Sequence, residues 1–262
     1  MSRLTLTTYD LLGRDYTRHR RPDPRIASRL RAALGPARSV LNVGAGAGAY
    51  EPGDRPTIAV DPSAVMLAQR ASGAAPAVQA LAEALPCAAR TVDAVLAVLT
   101  LHHWRDQKTG LAECMRVARQ RVVLFTWDPD SAGFWLVQDY LPEFMVLDRT
   151  QFPSMQTLVS ATGRDAQVTV TPVPIPHDCE DGFLGAYWRR PKAYLDASVR
   201  AGISSFARVP DAEARLQTLR ADLDSGAWGK RYGTLLVRDE LDLGYRLVIV
   251  DLPAVQHNVH CS

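Results

Sequence analysis

An α/β protein built on a doubly wound, mostly parallel sheet is the fold the sequence predicts, and three observations predict it. Apolar runs of strand length at residues 40–43, 58–60 and 94–99 each end abruptly at a glycine or a polar residue, as strands buried on both faces do. Between and after these runs lie segments whose apolar residues recur at helical spacing. Alternating strand and helix units imply parallel strands joined through helices that cover the sheet.

The first element is a helix over residues 24–34. Asp23 stands at its N-cap, Pro24 at its first helical position, and Ile26, Leu30, Ala33 and Leu34 on one face, while Gly35 and Pro36 stop it. Strands at 40–43 and 58–60 follow, then a helix capped by Ser63, then the buried strand 94–99. Asp106 caps the next helix, whose Leu111, Cys114, Met115 and Ala118 share a face, and residues 122–125 supply another buried strand. Beyond Asp128 aromatic residues are mixed with turn residues, so 131–150 reads as short helices over the sheet edge. A helix over 154–162, closed by Gly163, leads to a strand at 168–175, and a final strand at 245–250 pairs with it across a large insertion. A single domain spans residues 1–262, with 129–160 and 177–240 as its substrate-covering lid and insertion.

Length and charge narrow the classes of function. The 262 residues are enough to bury a core without staples. A net charge of +2, with Lys and Arg dispersed apart from a knot at 18–25, argues against nucleic acid and for a small-molecule partner. No apolar run approaches a membrane span or a signal peptide, so a cytoplasmic protein with no membrane partner is expected. The oligomeric state stays open, a homodimer included. Cys87, Cys114, Cys179 and Cys261 are too scattered for a disulfide framework or a zinc site and read as free thiols. His257, His260 and Cys261 have metal-like spacing but lack a fourth ligand, so no metal is expected.

The densest functional signal is VLNVGAGAGAY at residues 40–50. Gly44, Gly46 and Gly48 let the backbone turn tightly and approach a ligand where a side chain would fill the space. At the end of the next strand, Asp61 can accept hydrogen bonds from both hydroxyls of a ribose; the competing reading is a helix cap ahead of Pro62 and Ser63. Gly44, Gly46 and Ala49 also fit the dinucleotide pattern G-x-G-x-x-A. Such a site rests its pyrophosphate on the N-terminus of a long helix, whereas Pro52, Gly53 and Pro56 leave room for only a turn or two before the second strand. A nucleoside without phosphates loses nothing by that shortening, and S-adenosylmethionine is such a molecule.

From residue 9 to about residue 127 the chain resembles the class I S-adenosylmethionine-dependent methyltransferases, in the small-molecule group that includes the ubiquinone-biosynthesis methyltransferases. The resemblance is carried in order by YTRHR at 16–20, the glycine loop, AVDPSAVM at 59–66, AEALPC at 82–87, VDAVLAVLTLHHW at 92–104 and RVVLFTW at 121–127. It implies a Rossmann-like, doubly wound, mostly parallel seven-stranded sheet with a helical lid. It also implies methyl transfer from S-adenosyl-L-methionine, leaving S-adenosyl-L-homocysteine, to an O, N or C nucleophile of a small-molecule acceptor. The implied cofactor residues are Tyr16, Arg20, Asn42, Gly44, Ala45, Gly46, Gly48, Asp61, Pro62, Met66, Ala82, Glu83 and Leu99. Two positions depart from the family pattern: Asn42 stands where Asp or Glu is usual, and Leu81 where an acidic residue often receives the adenine amino group.

Within this frame Arg20 can pair with the methionine carboxylate, against the alternative of a solvated basic segment. The backbone of Ala82 would read the base edge, while Glu83 could equally start a turn. His102 and His103 follow a strand at its carboxyl end, where a general base could sit, although a structural or cofactor-lining role competes. Trp104, Phe134, Trp135, Tyr140, Tyr187 and Arg189 are expected to cover the methyl group and close over the acceptor. The bland alternative, favoured for Phe183 and Trp188, is a small core that docks the insertion on the sheet. Competing functions are a non-methylating reaction such as a cyclisation, and a NAD-type oxidoreductase or nucleotide-binding module, which the short first crossover disfavours.

Overall fold

The computed structural model describes residues 20–131, 133–209 and 211–253. Its main sheet contains β1 (Val40–Val43), β2 (Thr57–Asp61), β3 (Ala77–Gln79), β4 (Val92–Val98), β5 (Ala118–Trp127), β6 (Gln167–Pro172) and β9 (Tyr245–Asp251), in the order β3-β2-β1-β4-β5-β9-β6. The first five strands run parallel, and β9 lies antiparallel between β5 and β6. Strand order reverses between β1 and β4, which opens a crevice at their carboxyl ends.

Alternation along the central strands builds a core on each face. Ala94 and Leu96 join Val123, Phe125 and the helix Pro24–Leu34 on one side, whereas Val95 and Ala97 join Val122, Leu124 and the helix Gln107–Val117 on the other. Helix starts follow side-chain chemistry: Asp23, Ser63, Asp106 and Ser154 each accept a hydrogen bond from a first-turn amide. No helix among the described residues is long and apolar enough to cross a membrane, and none of their His, Cys, Asp and Glu side chains cluster as a metal site. Tyr16, His257, His260 and Cys261 lie outside the described residues.

The structure differs from the sequence reading in three places. The three-residue edge strand β3 is exposed throughout and so carries no apolar pattern to betray it. The strand expected at 168–175 breaks after Pro172, and Ile175–Pro176 (β7) pairs instead with Glu240–Leu241 (β8) in a separate two-stranded ribbon. Ala118, expected on a helix face, begins β5 directly.

Much of the segments 133–160 and 177–240, expected as the lid and insertion, packs on the face that carries Pro24–Leu34 and extends its core with a group of aromatic rings. Trp135, 1% exposed, has the rings of Tyr140, Tyr194, Trp228 and Tyr232 centred 5.3 to 5.9 Å away. Its indole N–H donates to the carbonyl of Trp188 at 2.8 Å, and Trp188 donates to the carbonyl of Ile175 at 2.9 Å. Removing this centre by Trp135→Ala should destabilise the protein by about 3–5 kcal/mol. An unchanged urea unfolding midpoint would show that the lid stands without it.

Candidate functional site

A cleft of about 350 Å³ opens at the carboxyl ends of β1, β2 and β4. The glycine loop forms its floor. Gly44 has φ +71°, and a Cβ there would sit 2.0 Å from Thr100 Oγ1, so any other residue would collide with a strand end. Asp61 reaches back from the end of β2: its carboxylate accepts from the amides of Gly46 and Ser63, both at 2.8 Å. The ribose-binding and capping readings of this residue are therefore compatible, since each oxygen keeps a lone pair for a ligand hydroxyl. Burial raises the Asp61 pKa, against the pull of the two amides. Asn42 donates to Glu51 Oε1 at 3.4 Å, and Glu51 pairs with Arg70 at 2.6 Å, so a carboxylate returns to the neighbourhood from another segment.

Ala45, Gly46, Gly48, Pro62, Met66, Ala82 and Glu83 also line the cleft. Glu83 accepts from the amides of Arg105 and Asp106, which makes it a clasp for the loop after His103 as well as a wall. No helix separates β1 from β2, in keeping with the short crossover read from Pro52, Gly53 and Pro56.

Arg20 stands at the far end of the cleft, and its place depends on a residue that the sequence did not single out. Asp181 accepts from Arg20 Nε at 2.7 Å, from the Tyr50 hydroxyl at 2.9 Å and from the Gly182 amide at 2.7 Å. Its carboxylate is fully buried. Beside it, Asp23 accepts from the Glu180 amide and from the Arg25 guanidinium, and its pKa is held down at about 2. Burial acts against that shift, but the hydrogen bonds from Arg25 and Glu180 outweigh it.

Behind Arg20 lies a smaller chamber of about 80 Å³. Arg20, Leu99 and His103 line both cavities. Leu99 holds φ +49°, unusual for a branched side chain. Phe134, Phe152, Phe183, Trp127 and Tyr245 line the chamber with rings beside the aliphatic Val137, Leu184, Ile203 and Leu243, and His102, Asp148, Gln151, Ser204, Ser205 and Arg208 give it polar walls. His102 stacks on Phe152 at 4.4 Å, and its Nδ1 has no hydrogen-bond partner among the described residues. Desolvation, with Arg208 and Arg20 nearby, lowers the His102 pKa to about 3 and depresses His103 as well. Both imidazoles are neutral at physiological pH. Asp148 is displaced the other way, to about 7, because burial outweighs the Arg208 charge.

Several expected acceptor contacts are corrected by packing. Trp135 and Tyr140 belong to the lid core, with the Tyr140 hydroxyl donating to Asp222 at 2.7 Å. Tyr187 packs against Tyr194 and under Arg190, and Arg189 donates to the carbonyl of Arg238 at 3.0 Å; neither lines either cavity. Trp104 lines the larger cleft and not the chamber. Phe134 does line the chamber, as does Phe183, which also packs on Tyr245 at 4.8 Å. Asp148 left one legible trace: it follows buried Phe144 by four residues, which puts an acid on the apolar stripe of a helix.

With this geometry in view, the methyltransferase domain family matches residues 41–126 of the chain. A solved structure described as a putative methyltransferase from an antibiotic biosynthesis pathway of Anabaena variabilis is 33% identical, covers 89% of this chain and 99% of its own, and superposes with a TM-score of 0.83. A possible histamine N-methyltransferase from Thermotoga maritima, 15% identical, covers 94% and 99% with a TM-score of 0.57. The [4+2]-cyclase SpnF, 16% identical, covers 88% and 81% with a TM-score of 0.53. These last two likenesses concern the fold alone. None of the curated proteins matches the chain.

The raised pKa of Asp148 has a consequence for stability. Between the ordinary 3.8 and about 7 the folded chain retains a proton that the unfolded chain has released, so stability falls as pH rises through that window. Asp148→Asn should flatten this slope and leave the variant more stable than the parent at pH 8. Parallel curves of melting temperature against pH for the two proteins would remove Asp148 as the cause.

Proposed function

The chain belongs to the class I S-adenosylmethionine-dependent methyltransferases of the small-molecule type, and on that premise we propose that it methylates an O, N or C nucleophile of a small metabolite held in the chamber, with the donor in the cleft. The observation that carries this reading is the shared wall: Arg20, Leu99 and His103 face both cavities, so their contents meet there.

The cleft fits the donor. Gly44 lets the loop pack against Thr100 at the edge of the cleft, Asp61 retains lone pairs for ribose hydroxyls, and Arg20 offers a guanidinium to a carboxylate while held by Asp181. When bound, S-adenosylmethionine supplies a methyl group already activated by a sulfonium. What remains for the protein is to align the acceptor and exclude water. Leu99, the aromatic walls of the chamber and the lid core behind them supply apolar surface for both tasks.

Thermal melts with S-adenosylmethionine, S-adenosylhomocysteine and NAD test the cofactor class. A ligand at about 100 times its Kd adds about 2.7 kcal/mol of stability, so the first two should raise the melting temperature and NAD should not. The reverse pattern would overturn the proposal. Asp61→Ala should weaken S-adenosylmethionine by about 1.5 kcal/mol or more, roughly tenfold, and wild-type affinity by calorimetry would remove Asp61 from the site. Consumption of an acceptor with no loss of methyl from the donor would identify a non-methylating reaction instead.

A further inference from the structure

The chamber holds a carboxylate that aligning an acceptor does not require. Asp148, 7% exposed, lines it from the helix Pro142–Gln151 and accepts no side-chain hydrogen bond among the described residues. The charged and titratable groups around it come from four other elements: Arg208 from the turns that follow the helix Ala197–Ala201, Arg20 from the segment before Pro24–Leu34, His102 and His103 from the turn after β4, and Tyr245 from β9. Arg208 is steadied by donating to the side chain of Gln151, whose own backbone carbonyl accepts from Gln107.

We propose that Asp148 is the general base of the reaction and that the acceptor it serves is the hydroxyl of a single flat ring, a phenol. The inference rests on the reading of the chamber as the acceptor site and deepens it. Size sets the first limit: a water occupies roughly 10–15 Å³ of such space, so about 80 Å³ admits five to eight groups of that size, one ring and its substituent. Shape sets the second, because five aromatic rings, those of Trp127, Phe134, Phe152, Phe183 and Tyr245, share the apolar lining with aliphatic side chains.

Charge sets the third limit. Desolvation depresses both imidazoles in the chamber, with Arg208 and Arg20 adding to the shift; Arg20 is already paired with Asp181, so the Arg208 guanidinium is the charge that favours a developing phenolate. A neutral hydroxyl must lose its proton as it is methylated. Its oxygen bonds to the methyl carbon, the carbon–sulfur bond breaks with the electron pair kept by sulfur, and the proton passes from oxygen to the Asp148 carboxylate. Neither histidine suits this step, since His102, with a pKa near 3, holds a proton poorly. Asp148, at about 7, is ionised enough to take a proton and basic enough to keep it.

The test compares two phenols in the full-length protein, 4-methylphenol, which is un-ionised at pH 8, and 4-nitrophenol, which is ionised there and visible by its absorbance. Asp148→Asn should lower the turnover of 4-methylphenol by about a hundredfold or more and that of 4-nitrophenol by only a few-fold, because an ionised acceptor needs no base. Equal losses for both would make Asp148 structural and overturn the assignment. The second readout needs no turnover: carbon-13 NMR of the Asp148 carboxyl should titrate near pH 7, and titration below pH 5 would overturn its role as base. Failure of the parent protein to methylate either phenol while S-adenosylmethionine still raises its melting temperature would reject the acceptor class and leave the methyltransferase reading standing. Absence of that stabilisation would reject the methyltransferase reading itself.

Discussion

The buried carboxylate of Asp181 is the contact through which the lid insertion, the glycine loop and the N-terminal segment hold one another. Arg20, Tyr50 and the Gly182 amide all donate to it. A carboxylate withdrawn from water is costly unless its lone pairs are filled, and removing one partner of a buried pair leaves a penalty of about 3–5 kcal/mol. The three segments therefore cannot drift apart singly. Because Arg20 borders both cavities, this contact fixes the partition between them. Asp23, itself buried and clamped by Arg25 and the Glu180 amide, braces the same junction.

The chamber is tuned by placing its charges where water cannot screen them. Burial acts on His102, His103 and Asp148 together, disfavouring the charged form of each; Arg208 and Arg20 add to the shift of the imidazoles, while Arg208 partly opposes that of the acid. The histidines, attractive as bases from their position at a strand end, line the chamber as buried rings with lowered pKa values. His102 shows this most clearly in its stacking on Phe152.

How much could be read in advance depended on the range of the interactions involved. Local signals were legible: a cap and a leading proline placed the helix Pro24–Leu34, and alternate glycines placed the turn after Val43. The cleft was legible too, because its residues come from contiguous strand ends. The chamber was not, since Asp148, Phe183, Ser204 and Arg208 meet only after three distant segments fold over the sheet. Aromatic residues misled for a related reason. Trp135 and Tyr187 look like acceptor contacts in a linear chain, yet a lid of this size must extend the core beneath it, and that core takes the largest rings first.

Leu99 carries a consequence for how this site could change over generations. Its φ of +49° costs a branched residue energy that glycine would not incur, so drift toward glycine is the easy path for backbone stability alone. That path is closed by the isobutyl group itself, which stands between two compartments as their bulkhead. With glycine there, the cleft and the chamber would run together. A residue of different bulk at this position would therefore reset how closely the contents of the two cavities approach.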